Sequence, residues 1–325
     1  MRDVAERAGV SAMTVSRALS DPERVSAPVR GRVEAAVREI GYVPNRLAGS
    51  LSSSRSDVVG LVVPSIRNAL FAETIQGISD VVRENGHQLM VADSRYSPAE
   101  EEALVTAFLG QRVAGLVLHN TTHTARARAL IRGAGIPVVE NGTLAADPLD
   151  MVVSYSNAGA ARAMTSHLAR LGYRRIALVT LPVANNVRSE ERRRGHRAAL
   201  REAGLPEDPR LLLEMPPGLP SGAEAVVRLA GSGADAVFFA GDVLAVGALL
   251  ECQRRGWAVP GRVAIAAFDD VDLLRQLNPA VTTVRLPRLA IGRRSAEILL
   301  DRIKGRSAER IRVDLGFEIV QRAST

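Results

Sequence analysis

Apolar residues recur along the first forty positions at helical spacing. Val4, Ala5 and Ala8 share one face of a short helix. Gly9 stands where a helix end favours positive φ. Val10 plugs the angle to a second helix, capped by Ser11 and running over about Ala12–Leu19. Val15, Ala18 and Leu19 turn inward, which leaves Ala12, Met13, Thr14, Ser16 and Arg17 on the opposite face. Ser26 caps a third helix whose core stripe is Val29, Val33, Val37 and Ile40, and Gly41 ends it.

From Ser56 onward the spacing changes. Val58–Val63 is a continuous apolar run closed by Pro64, the pattern of a strand buried on both faces. Similar runs follow at Leu89–Ala92, Val113–His119, Val138–Glu140, Ile176–Thr180, Ala236–Ala240 and Val263–Phe268. Between them, amphipathic windows predict helices over Phe71–Glu84, Glu100–Leu109, Asn157–Leu171, Glu190–Ala203, Val243–Arg255 and Leu289–Lys304. Strand alternating with helix implies an α/β fold with parallel sheets and right-handed crossovers. The strands are too many for one small sheet, and the pattern restarts near Ser156. Two similar lobes with a ligand cleft at the strands' carboxyl ends are the simplest solution.

Composition sharpens this only in places. In 325 residues, 46% are hydrophobic and 3% aromatic, so the cores are built from Ala, Val, Leu and Ile. The net charge of +7 says less than it suggests, because arginine replaces lysine at every basic position except Lys304. The location of charge is more telling: residues 1–56 hold nine arginines against six acids. A single cysteine, Cys252, excludes an internal disulfide framework and fits a reducing cytoplasm, where it reads as a small buried apolar residue. With no signal segment and no apolar run near the roughly 18 residues of a membrane span, a cytoplasmic protein without membrane contact is expected.

The leading segment has the layout of a helix-turn-helix. In that motif the start of the second helix meets base edges in the major groove. Arg17 suits a bidentate contact to guanine, Thr14 and Ser16 suit phosphates or bases, and Ala12 and Met13 suit thymine methyls. Ser11, Arg24 and Ser26 complete the DNA-facing set on this module. The tail Asn45–Arg55 carries one large apolar wedge, Leu51, among small and polar residues. So short and serine-rich a segment is a weak helix alone, and a minor-groove base step is one partner that would organise it. By itself the tail also reads as a serine-rich linker.

D-V-A-E-x-A-G-V-S-x-x-T-V-S-R followed by G-Y-x-P-N-x-x-A-x-x-L resembles the LacI/GalR family of transcription regulators, and the resemblance spans essentially the whole chain. It implies a helix-turn-helix domain over 1–44, a hinge over 45–55, and an effector-binding and dimerisation core over 56–325. That core would have the type I periplasmic-binding-protein fold, with lobe 1 near 57–153 and 286–312 and lobe 2 near 155–285 and 313–325. Asn45 and Ala48 become hinge contacts to DNA, and Leu51 the residue that opens a central base step. The chain begins only two residues ahead of the Asp-Val-Ala, where family members usually have several.

Polar groups at strand ends are the candidates for an effector site: Asn68 and Phe71 after the first strand, Arg192 opening the helix Glu190–Ala203, Asp242, and Asp269. Carboxylates can accept from paired hydroxyls, arginine can grip a carboxylate, and Phe71 can stack on a carbon-chain face. The resemblance puts Arg192 and Asp269 at the family's most frequent effector positions, with Tyr155 and Arg288 helping to close the site. Gly241 and Ser156 stand where relatives commonly have Asn and Asp, which removes partners for a neutral sugar. Asp269-Asp270-Val271-Asp272 otherwise reads as a solvated loop, and its spacing does not suit a metal. Within the family, stretches such as Ala69–Glu73, Gly135–Glu140 and Ala245–Arg254 look closest to the gluconate-type repressors.

The reading is therefore a sequence-specific repressor, not an enzyme and without cofactor. Its sugar-acid or sugar effector would change affinity for a pseudo-palindromic operator bound by a homodimer. The rival is a sugar or sugar-phosphate enzyme on an α/β fold, but no nucleophile, phosphate-loop or dinucleotide motif supports it. Leu51→Ala is expected to weaken operator binding while leaving effector affinity intact. Paired anisotropy and calorimetric titrations check this, and unchanged operator affinity would remove the wedge.

Overall fold

The computed structural model describes residues 1–43, 56–184, 186–306 and 310–325. The hinge candidates Asn45, Ala48 and Leu51 lie outside these residues. The chain divides into two compact units, Met1–Ser56 and Asp57–Thr325.

In the first unit α1 (Arg2–Ala8), α2 (Ala12–Ser20) and α3 (Ala27–Ile40) enclose a core of Val4, Ala5, Ala8, Val15, Ala18, Val33 and Ala36. Gly9 and Gly41 end their helices in the left-handed region, at φ 62° and 67°. Two expectations need correction. Ser26 is the N-cap position of α3 but its side chain makes no cap bond there; Pro28 in the first turn starts the helix instead. Ile40 is exposed, and Ala36 takes the inward place one turn earlier. Arg7 donates to Glu39 through Nε at 2.8 Å, bracing α1 against α3.

The second unit is α/β and holds two six-stranded sheets. The first contains β1 (Val58–Val63), β2 (Gln88–Asp93), β3 (Gly115–Leu118), β4 (Val138–Glu140), β5 (Met151–Ser154) and β11 (Arg312–Asp314), in the order β11-β5-β4-β3-β1-β2, all parallel. The second contains β6 (Ile176–Thr180), β7 (Leu212–Glu214), β8 (Ala236–Phe239), β9 (Ala264–Phe268), β10 (Thr282–Arg285) and β12 (Glu318–Val320), in the order β12-β10-β9-β8-β6-β7. Only β12 runs antiparallel to its neighbour. The chain thus passes between the sheets three times, after β5, after β10 and after β11.

Covering the first sheet are α4 (Ala72–Glu84), α5 (Pro98–Gly110), α6 (Ala125–Ala134) and α12 (Arg288–Ile303). The second carries α7 (Asn157–Arg170), α8 (Val187–Glu202), α9 (Leu219–Gly231), α10 (Asp242–Arg254) and the short α11 (Asp272–Gln276). Glycine lets helices touch backbone to backbone at two crossings that matter for the cleft. A Cβ on Gly195 would fall 2.1 Å from the Ala158 carbonyl oxygen, and one on Gly292 2.2 Å from that of Thr74. The first fixes α8 on α7 and the second fixes α12 on α4. Replacing either glycine by a larger residue would force its pair apart.

Each sheet reverses its winding once, between β1 and β3 in the first and between β6 and β8 in the second. Ligands in open α/β sheets bind at such points, outside the strands' carboxyl ends.

The loop before α6 holds a buried ionic cluster. His123 is held through Nδ1 by Glu101 at 2.5 Å and through Nε2 by Glu140 at 2.9 Å. Burial opposes charge on the ring, but the two carboxylates prevail and raise its pKa to about 9. It is therefore an imidazolium at neutral pH, tying α5 to β4. His123→Gln leaves two buried carboxylates short of their countercharge and is expected to cost about 3–5 kcal/mol in urea unfolding. Because the folded pKa lies above the ordinary 6.5, the contribution is full below about pH 6.5 and fades as pH rises through 9. A wild-type and variant difference that stays constant across that range would contradict the cluster's charge state.

Candidate functional site

On the first unit, α2 presents the face expected to read DNA. Ala12, Met13, Ser16 and Arg17 are exposed, Met13 at 72%. Ser11 caps α2 through Oγ, accepting from the Thr14 amide at 3.1 Å, and the two hydroxyls lie 2.9 Å apart. These bonds fix the first turn of the helix. Arg17 has no ion pair among the described residues, whereas Arg24 is paired through Nε with Asp21 at 2.8 Å. Ser26 is exposed at the start of α3.

Within the core, one cleft collects all seven effector candidates: Asn68, Phe71, Tyr155, Arg192, Asp242, Asp269 and Arg288. They arrive from both lobes, at the carboxyl-end side of the two sheets. Asn68 and Phe71 follow β1, Asp242 begins α10 just after β8, and Asp269 follows β9. Asn68 spends its Oδ1 on the Leu70 amide at 3.0 Å, capping the turn that presents Phe71. Phe71 meets the His119 ring edge-on, with centroids 4.8 Å apart.

Arg192 does not open its helix, as expected from sequence. The helix begins at Val187, so Arg192 lies in its second turn and points inward. Its Nε donates to Asn157 Oδ1 at 2.9 Å, Nη1 to the Ala240 carbonyl at 2.8 Å, and Nη2 to the Tyr155 hydroxyl at 3.4 Å. The guanidinium stacks 3.6 Å from the centre of the Phe268 ring. Asn157 in turn donates to the Gly142 carbonyl at 2.8 Å and to Thr143 Oγ1 at 3.1 Å, joining the second lobe to a loop of the first.

Asp269 and Asp270 are not a solvated loop. Asp269 is 1% exposed and holds a φ of 78°, rare for a residue with a side chain. It pairs with Arg288 through Oδ1, while its Oδ2 has no hydrogen-bond partner. Burial works against the Arg288 charge, but Asp269, with Tyr155 and Asp242, more than offsets it and the arginine is held firmly cationic. Asp270 faces the other way and binds Arg285 Nε at 2.8 Å and Arg322 Nη2 at 2.7 Å, pinning the C-terminal segment to β10. Burial, with Asp269 nearby, raises the Asp242 pKa to about 6.

The sequence reading missed several residues lining the cleft, among them Tyr96, His119, Arg188 and Ser189. Arg188 precedes Arg192 by one helical turn, so the i, i+4 spacing was a usable signal. Its Nη1 reaches the His119 carbonyl at 3.5 Å, across from the second lobe to the first. Burial, followed by the Arg188 and Arg288 charges, holds the His119 imidazole well below the usual histidine range, so it is neutral. Among the described residues no group of three or more His, Cys, Asp or Glu side chains is arranged to hold a metal ion.

A three-helix reader and a two-lobed core with a charged cleft define a ligand-responsive DNA-binding protein. Residues 1–45 match the bacterial regulatory proteins of the lacI family, and residues 165–325 a periplasmic binding protein-like domain. The HTH-type transcriptional regulator GntR of Escherichia coli (strain K12) is 39% identical over 98% of this chain and 96% of its own length. The crystal structure of a LacI-family regulator from Silicibacter pomeroyi superposes with a TM-score of 0.92 at 33% identity, covering 99% of this chain and 98% of that one. A lac repressor dimer bound to operator and the anti-inducer ONPF gives a TM-score of 0.85 at 25% identity, covering 99% and 97%. The chain belongs to the LacI family and is a transcriptional regulator. These relatives are named as transcriptional regulators.

Asn tolerates the left-handed backbone of position 269, so Asp269→Asn isolates the loss of charge. It leaves Arg288 buried without its carboxylate and is expected to cost on the order of 3 kcal/mol in chemical denaturation. Wild-type stability would show that the pair does not hold the cleft together.

Proposed function

We propose that this regulator is a repressor controlled by a sugar acid of the gluconate class, bound in the cleft between the core lobes. One observation carries the reading. Arg188, Arg192 and Arg288 face the cleft against Asp242 and Asp269, and only Arg288 has a carboxylate partner among the described residues. A buried excess of positive charge is costly until an anion enters. The partnerless Asp269 Oδ2 supplies an acceptor for a hydroxyl of the same ligand. A neutral sugar would use that acceptor and leave the arginines uncompensated.

The seven cleft residues predicted from sequence form the effector site in this reading. Ser11, Ala12, Met13, Thr14, Ser16 and Arg17 read the operator, with Arg24 and Ser26 at its backbone. One such helix contacts few bases, so a homodimer on a pseudo-palindromic operator is proposed, in the arrangement of the operator-bound lac repressor dimer. Ligand and operator then act on each other through one coupling energy.

Thermal shift against sugar acids and neutral sugars tests this, followed by operator release with any ligand found. Gluconate or a related acid at about 100 times its Kd should add about 2.7 kcal/mol of stability. It should also alter operator affinity, and Arg192→Ala should lose both effects while still binding DNA. Stabilisation by a neutral sugar with every acid silent would overturn the proposal.

A further inference from the structure

The cleft holds three arginines but only one place where an incoming anion meets a charge that nothing else has claimed. Arg288 is spoken for by Asp269. Arg192 gives Nε to Asn157, Nη1 to Ala240 and Nη2 to Tyr155, and lays its face on Phe268. With Nε committed, the side-on fork by which a guanidinium grips a carboxylate is closed. Arg188 differs. Its one hydrogen bond to a described residue is the 3.5 Å contact with the His119 carbonyl, and its nearest aromatic face, Tyr96, is 5.9 Å away.

The charges around Arg188 point the same way. Burial weighs most against its charge, and the strongest neighbouring influences are the Tyr96 and Tyr155 phenols and the Arg192 and Arg288 guanidiniums, none of them a carboxylate. His119 beside it is neutral. Arg188 also lies in the first turn of the 16-residue α8, whose positive end adds to its field. Next to the cleft, a second cavity of about 210 Å³ shares Tyr96, Asn186 and Arg188 with it. Glu101 lines that cavity, but its carboxylate is bound to the His123 imidazolium.

Resting on the sugar-acid reading, we propose that Arg188, not Arg192, reads the ligand's terminal anionic group. The acid end then lies at the junction of the two cavities, and the hydroxylated chain runs back toward Asp242, Asp269 and Arg192. Arg192 becomes a hydroxyl donor already held in place by the protein. The second cavity beyond Arg188 leaves room for a terminal anion larger than a carboxylate, so a phosphate monoester at that end is also accommodated.

Calorimetry on the full-length protein with gluconate and with glucitol, its neutral polyol, tests the assignment. Arg188→Gln should weaken gluconate on the order of 10- to 100-fold and leave glucitol unchanged, removing the preference for the acid. Arg188→Lys, which keeps the charge, should restore part of that preference. Arg192→Gln should weaken both ligands together. A gluconate chain carrying a terminal phosphate should lose affinity with Arg188→Gln if the phosphate occupies the junction; if it keeps full affinity, the larger-anion part of the proposal fails. Arg188→Gln that retains the acid preference, with Arg192→Gln losing it, would overturn this assignment alone. Wild-type protein that binds glucitol and no acid would overturn the sugar-acid reading with it.

Discussion

Positive charge buried between two lobes is the constraint on which the core depends. A guanidinium taken from water needs a countercharge or a full set of acceptors. The cleft solves this three ways at once. Arg288 has a carboxylate, Arg192 has a carbonyl, an amide, a phenol and an aromatic face, and Arg188, only half-buried, has one long carbonyl contact among the described residues. The three guanidiniums are therefore unevenly satisfied by the protein's own groups, and in the proposed reading an entering anion completes the set.

The frame makes this unevenness durable. Both sheets turn their winding reversals toward the same space, and segments following strands of both sheets converge there. Gly195 seats α8 against the start of α7, which sets Arg192 beside Tyr155 and Asn157. On the other lobe Gly292 holds α12 on α4, and Arg288 at the start of α12 meets Asp269 across the cleft. Asn157 and Arg188 reach from the second lobe to carbonyls of the first. Those links, together with the Arg288–Asp269 pair, are where a change in lobe closure would be felt.

Much of the fold was legible because strands buried on both faces read as unbroken apolar runs. Val58–Val63, Val138–Glu140 and Ile176–Thr180 are found at the expected bounds. Strands β11 and β12 are three residues long, partly exposed and carry no such run, and β7 is as short, with only Leu211–Leu213 apolar before Glu214. Strand β2 is detected although much of it is exposed, since Leu89–Ala92 is apolar. In the cleft, residues following strands were predictable from topology. Arg188 was not picked out, because arginine is abundant throughout and the helix was expected to begin three residues late. The Glu101–His123–Glu140 cluster joins positions from three separate elements, and no local pattern announces it. Asp270 looked like a solvated neighbour of Asp269 because its partners, Arg285 and Arg322, are distant in sequence.

The central claim is that occupancy of the cleft and operator binding oppose or support one another through a single coupling free energy. Reciprocity tests it most directly. Operator affinity is measured with and without saturating gluconate, and gluconate affinity with and without saturating operator, on the same protein at the same salt. The account predicts the same factor, different from one, in both comparisons. Gluconate that binds the cleft equally well with and without operator would contradict it.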